Sequence, residues 1–284
     1  MSELRPIVFA LTLTLGIASL SGAAADGSEE IDPASILRDA FSKRYDVDLT
    51  SEIELVMHDR NMREHRRVFD AASKLIDGKH HSVGKLNWPN YLRDMTILTI
   101  EAEERDHDAF VYLPTLGRVR RISSSQKGDA FFGTDVTYED LERRHVDDFD
   151  ILAFETTVTQ GEPSYRIHVR PKENLTYIAA DYFIAVADHA LLEMHYFKER
   201  FDGPFRVIQT ERQHLIAENG HIVPNRMTVE NRSRRTTTTA VFKNLILDPQ
   251  IDDRLFSVTV LERNPKLRNH THSKREDAPA GVEN

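Results

Sequence analysis

The feature that most narrows what this chain can fold into is an apolar period of two, repeated between residues 51 and 247 and punctuated by turn codes. Ile53, Leu55 and Met57 alternate with Glu52, Glu54 and His58. Tyr165, Ile167 and Val169 alternate with Arg166, His168 and Arg170. Successive side chains of a strand point to opposite faces, so this pattern gives one greasy and one wet face. The turn codes sit between such runs. Residues 218–221 (ENGH) carry Asn-Gly, which accepts positive φ at both turn positions and is the strongest short hairpin signal. Asp77-Gly78 and Asp202-Gly203 are weaker versions, and residues 160–163 (QGEP) form a fourth turn. Strands are expected near 51–58, 62–76, 80–88, 91–103, 108–113, 118–123, 149–159, 164–170, 177–187, 191–200, 205–217, 221–231 and 235–247. Links this short join antiparallel neighbours, because parallel strands need a crossover of a dozen residues or more.

Helical signals are few. Asp32 can cap free N–H groups and Pro33 suits the first helical position. Ile36, Leu37, Ala40 and Phe41 then recur at helical spacing. Thr137 and Asp140 have capping-box spacing, which predicts a short mid-chain helix. The chain reads as mainly β (α+β): one long, curved antiparallel sheet with one apolar face, an N-terminal helix and a short mid-chain helix. Two helices are little cover for so large a face. A sheet of this kind either closes on itself or leaves a greasy hollow.

The two ends read differently. Residues 7–20 (IVFALTLTLGIASL) are apolar and uncharged, and small residues follow up to Ala25. That is the pattern of a secretory signal peptide, and the run is too short to span a hydrocarbon core of ~30 Å. Residues 264–284 are polar and expected to be disordered. The expected organisation is a leader over 1–25, one domain over 26–263 and a tail. No cysteine is present, which excludes disulfides, thiol catalysis and a lipid-anchoring lipobox cysteine. A soluble periplasmic protein is expected. The net charge of −9 disfavours nucleic acid, and the basic clusters at 118–121 and 232–235 read as solvated strand faces.

Catalytic signatures are absent: no G-x-S-x-G elbow, no H-E-x-x-H and no P-loop. His80 and His81 are adjacent on a strand and point to opposite faces, so they do not share an ion easily. Asp188-His189 and His107 between Asp106 and Asp108 read as turn chemistry. No enzyme, catalytic residue, metal or cofactor is expected.

The most specific segments are residues 110–122 (FVYLPTLGRVRRI) and 131–141 (FFGTDVTYEDL). With 165–171 (YRIHVRP), 191–197 (LLEMHYF), 255–256 (LF) and 261–263 (LER), they resemble the outer-membrane lipoprotein-sorting proteins. The likeness is to the larger uncharacterised branch of these LolA-like periplasmic carriers and covers residues 32–263. It implies an incomplete β-barrel, a strongly bent antiparallel sheet with the N-terminal and short mid-chain helices covering the concave apolar face, and acyl chains bound between sheet and helices. It also makes an RND-type inner-membrane exporter a plausible partner. The leading expectation is a carrier of lipoprotein acyl chains or free lipids, working by hydrophobic transfer with transient membrane contact. The alternative is a periplasmic adaptor of an RND-type exporter without lipid cargo. Ile53, Leu55, Met57, Tyr165, Ile167, Val169, Tyr182, Ile184 and Val186 are the candidate cavity lining. Ordinary core packing explains each equally well. Phe131 and Phe132 are candidate gate residues, or staples of their loop to the sheet.

Overall fold

The computed structural model describes residues 31–102, 107–173, 175–263 and 271–272. The expected leader, and all of the expected disordered tail except Thr271–His272, lie outside them. The chain opens with helix α1 (Pro33–Tyr45), where Asp32 accepts from the N–H groups of Ala34 and Ser35 at 3.0 Å each. Ile36, Leu37, Ala40 and Phe41 form its buried face, as the spacing predicts. Strands β1 (Leu49–His58), β2 (Glu64–Ile76), β3 (Lys79–Trp88), β4 (Thr96–Ile100), β5 (Asp108–Leu113) and β6 (Arg118–Ile122) follow as an antiparallel meander. A second meander begins at β7 (Phe149–Thr159). It runs through β8 (Glu162–Pro171), β9 (Ala179–Ala185), β10 (Leu191–Phe197) and β11 (Arg206–Gln209) to β14 (Arg226–Asn231) and β15 (Thr236–Leu247).

The two meanders meet where β1 pairs with β15, giving one antiparallel sheet with β6 and β7 at its edges. The sheet is strongly bent and does not close. Its inner core joins Leu55, Phe69, Leu86, Ile97 and Val111 from the first meander to Ile167, Tyr182, Met194 and Val229 from the second. A flat sheet of this width would hold those side chains apart, so the bend and the shared core imply one another.

Several details differ from the sequence reading. The expected strands at 205–217 and 221–231 each break in two. The outer pieces, β12 (Leu215–Glu218) and β13 (His221–Pro224), form their own hairpin around Asn219 (φ 52°) and Gly220 (φ 84°). The expected strand at 91–103 shrinks to β4, because Asn90–Leu92 form a 3-10 turn. The mid-chain helix is a single 3-10 turn, Tyr138–Leu141, with Asp140 accepting from the Thr137 backbone and hydroxyl. The sheet is also not apolar on one face throughout. Leu255, Phe256 and Leu261, from the 3-10 turn Asp253–Phe256 and the short helix α2 (Val258–Glu262), cover Ala72, Val83 and Leu98 on the outer face. Thr96 to Thr99 are all buried for that reason. Within the expected tail, Thr271–His272 (β17) pair with Gln250–Ile251 (β16).

Residues 123–148 connect the two edge strands and are pinned to the sheet at several points. Arg67 donates to the Phe132 carbonyl (3.0 Å), and Asp135 accepts from Thr238 (2.8 Å). Arg206 on β11 makes two 2.7 Å bonds to Asp140. Gly128 sits so close to Thr176 that an added Cβ would lie 2.1 Å from its Cγ2. Gly128→Ala is therefore expected to destabilise by ~1–3 kcal/mol in urea unfolding, as overpacking does. Thr176→Ser, which loses that methyl and keeps its hydroxyl, should recover part of the loss. No cost in Gly128→Ala would show that the segment does not press on residue 176.

Candidate functional site

The inner face is built from the period-two strands of both meanders, with α1 laid across it. Phe41 of α1 packs edge-on to Tyr182 (ring centroids 5.1 Å apart) and lies 6.3 Å from Phe149. The turn between β9 and β10 holds the outer side of the helix: His189 Nδ1 meets Asp39 at 2.7 Å and Lys43 donates to the Asp188 carbonyl at 2.9 Å. Of the Asp-His neighbours singled out in the sequence, Asp188-His189 thus belongs to a turn that clasps α1.

The predicted lining residues separate into three groups. Leu55, Ile167, Val169, Tyr182 and Ile184 are buried in the inner core, with Ile53 and Tyr165 half-buried against it. Met57 is half-buried and outside that cluster. Val186 is 37 % exposed, since β9 ends at Ala185. Phe131 is 1 % exposed and packs edge-on to Phe69 and Tyr138 at 5.7 Å each. Its neighbour Phe132 is half-buried with φ 47°.

Beneath the carboxyl end of α1 lies a cavity of about 60 Å³. Its apolar walls are Phe41, Tyr45, Tyr182, Met194, Ile208 and Met227, and Arg44 reaches the Met227 sulfur at 3.6 Å. Two methionines give this wall side chains that repack readily. Its other wall belongs to a buried chain of charges. Lys127 pairs with Glu142 (2.7 Å), while Arg144 pairs with Glu139 (3.1 Å) and Glu142 (3.6 Å). Thr176 donates to Glu139 from both backbone and hydroxyl. Burial pushes the Glu142 carboxyl up, against the pull of Lys127 and Arg144.

A larger cleft of about 580 Å³ lies at the sheet's mouth. The β2–β3 turn, the chain flanking β4 and β5, residues 142–148 and the chain after β8 line it. Here Glu101 is bonded by His145 Nε2, by the His80 backbone N–H (2.7 Å) and by Arg143 (3.4 Å). Burial raises its pKa, but those partners win and hold it at about 2. The same contact raises His145. Burial drives His107 and His80 down to about 4. No predicted lining residue borders this cleft. The sequence reading passed over it, although residues 139–148 (EDLERRHVDD) are the densest charge run around the capping box it did identify. No group of three or more metal-ligating side chains occurs among the described residues.

A family model described as an uncharacterized protein matches residues 78–263. The chain belongs to this family. Its LolA-like fold is shared by solved structures. One is a putative outer membrane lipoprotein-sorting protein domain from Vibrio parahaemolyticus: TM-score 0.75 and 17 % identity, over 81 % of this chain and 98 % of that one. A DUF1329 family protein from Desulfovibrio piger gives 0.73 and 24 % over 81 % and 100 %. A LolA superfamily protein from Nitrosomonas europaea gives 0.64 and 15 % over 80 % and 98 %. No curated protein matches the sequence. In this LolA-like chain the space between helix and sheet is mostly occupied by its own side chains. The polar cleft at the mouth is the larger cavity of the two.

Proposed function

We propose that the protein is a periplasmic carrier of acyl chains, which bind between α1 and the inner face of the sheet. The observation that carries this reading is the small cavity under α1, walled by Phe41, Tyr45, Ile208 and two methionines on one side and by Arg44, Glu139, Asp140, Glu142 and Arg144 on the other. A cavity of about 60 Å³ holds only a fragment of a chain, so binding requires α1 to lift or Met194 and Met227 to repack. Each CH₂ buried contributes ~0.8 kcal/mol, which is ample drive for that rearrangement. Release needs only a competing apolar site, and no covalent step enters. The likeness to lipoprotein-sorting folds supports the reading.

A second reading is favoured by the filled inner face: an interaction module, for instance an adaptor of an RND-type exporter, that carries no lipid. Native mass spectrometry of protein from its own periplasm, with extraction of bound lipid, separates the two. A carrier shows a bound acyl ligand and takes up a fluorescent fatty acid at micromolar concentration. Repeated absence of both decides for the module. Ile167 is fully enclosed, so a charge there tests folding rather than uptake. Met227 is half-buried at the cavity wall and is the better probe. Met227→Trp should fill the cavity and weaken uptake by about tenfold or more, with the urea midpoint little changed. Full uptake by this variant places the chain elsewhere.

A further inference from the structure

Four turns follow one another along a single end of the sheet. His58 pairs with Thr237 on one side and with Glu64 on the other, so the turn at 232–235 sits beside the turn at 59–63. Val68 pairs with Trp88, which leads into the turn at 89–95. Thr96 pairs with Tyr112, and β5 then enters the turn at 114–117. The basic clusters at 118–121 and 232–235 thus fall at one end of the fold. Residues 58–66, 88–95, 113–121 and 231–236 together hold ten arginines against three carboxylates, in a chain of net charge −9. Arg60, Arg63, Arg118, Arg234 and Arg235 are exposed and make no ion pair among the described residues. Like charges gathered without internal partners raise a positive potential over this end, against the acidic balance of the rest.

A second observation points to what this end meets. The same turns carry large apolar side chains out into solvent. Met62 is 76 % exposed and Tyr91 73 %, and Trp88 and Leu116 are exposed beside them. Met62 sits at φ 59°, a left-handed position that turn chemistry ordinarily gives to Gly or Asn. One exposed apolar residue is ordinary, but here four stand on adjacent turns among unpaired arginines. They stand on separate turns, so a rigid partner would have to match each tip, whereas a fluid one closes around all of them. Arginine with Trp, Tyr, Met and Leu is the chemistry of the lipid–water interface: guanidinium groups meet phosphates and the apolar tips enter the headgroup layer.

We propose that this end of the sheet docks on an anionic lipid surface, its arginines on headgroup phosphates and Met62, Trp88, Tyr91 and Leu116 inserted between the headgroups. The proposal goes beyond the carrier reading and stands without it, because no residue of the four turns lines either cavity. The acidic remainder of the chain is repelled by the same surface, which turns the molecule with this end down. An acidic protein would supply the charge, but the scattered apolar tips favour lipid.

The test is co-sedimentation of the protein isolated from its own cells with vesicles of phosphatidylcholine alone and of phosphatidylcholine mixed with phosphatidylglycerol. At low salt it should partition to the mixed vesicles about tenfold or more strongly, and added salt should release it. Trp88 is the chain's only tryptophan, so its emission reports on this end alone and should shift to the blue on binding. The variant Arg60→Gln, Arg63→Gln, Arg234→Gln, Arg235→Gln should lose about tenfold or more in partition. Met62→Asn with Tyr91→Ser leaves the charge alone and should lose about threefold or more. All six positions are exposed, so urea midpoints and fatty-acid uptake without vesicles should stay as they are, and docking and the carrier reading fail separately. Equal binding to the two kinds of vesicle, or binding to neither, overturns the proposal. So does full binding by the arginine variant, or sedimentation with no shift in Trp88 emission, which places the contact elsewhere. Full binding by the Met62 and Tyr91 variant overturns insertion of the tips.

Discussion

Arg206→Met is expected to destabilise the protein by about 3–5 kcal/mol, the usual cost of removing one partner of a buried ion pair. Arg206 is 2 % exposed, and its guanidinium lies 4.5 Å from the centre of the Tyr196 ring. Both terminal nitrogens donate to Asp140 at 2.7 Å, and one also reaches Thr137 at 3.3 Å. Burial lowers the Arg206 pKa, and the Asp140 charge more than restores it. Methionine fills most of the volume but leaves the Asp140 carboxylate facing an apolar wall. That carboxylate also caps the 3-10 turn at Tyr138–Leu141, so the loss should spread into residues 123–148. Urea unfolding of Arg206→Met, Asp140→Asn and the double variant checks this. The double should cost clearly less than the two singles added together. A loss under about 1 kcal/mol in Arg206→Met would mean that the pair does not anchor the segment.

The second large effect is acid sensitivity beginning below pH 6.5. His80 and His107 titrate near 4 in the folded protein, against 6.5 for the ordinary group. Below pH 6.5 the unfolded chain therefore takes up protons that the folded chain refuses, and stability falls until pH 4. Glu101, held at about 2 against 4.5, extends the loss from pH 4.5 downward. His145 works in the opposite direction. Its pKa is raised, so its contribution is complete below the unfolded value and fades as pH rises through the folded one. At ~1.4 kcal/mol per pH unit, reduced for solvent screening, the two depressed histidines withdraw on the order of 3–4 kcal/mol between pH 7 and 4. Urea midpoints measured from pH 7.5 to 4 should drop along this course. His80→Gln and His107→Gln should each remove about half of the slope. A flat profile between pH 7 and 5 would rule out the assignment.

The sheet was legible because a strand writes its burial pattern locally. Ile167 and Val169 alternate with His168 and Arg170, and the register keeps that alternation across β8. Asn219-Gly220 names its own turn geometry, and so does the Asp32-Pro33 helix start. What stayed hidden depends on residues far apart in sequence. Thr96 to Thr99 show no alternation, because Leu255 and Leu261 cover the side of the sheet that was expected to face solvent. The polar cleft gathers chain from around residues 77, 101, 107, 145 and 172, which no local pattern joins. Val186 follows the period of β9 but lies beyond the strand's end, where the rule no longer applies.

The seam between β1 and β15 fixes the order in which this sheet can be completed. Lys243 reaches Glu54 across it, though 189 positions separate them. A chain that emerges amino end first makes β1 and β2 early, and β1 then waits for its other neighbour until nearly the whole protein has followed. For all that time β1 is an open edge, able to recruit a wrong strand from its own chain or another. Its wet face carries Glu52 and Glu54, and its register slips between Thr50 and Glu52. Charge and irregularity are what keep an unpaired strand from premature partners. The Glu54 carboxylate that meets Lys243 in the finished sheet thus also guards its vacant place while the sheet is unfinished.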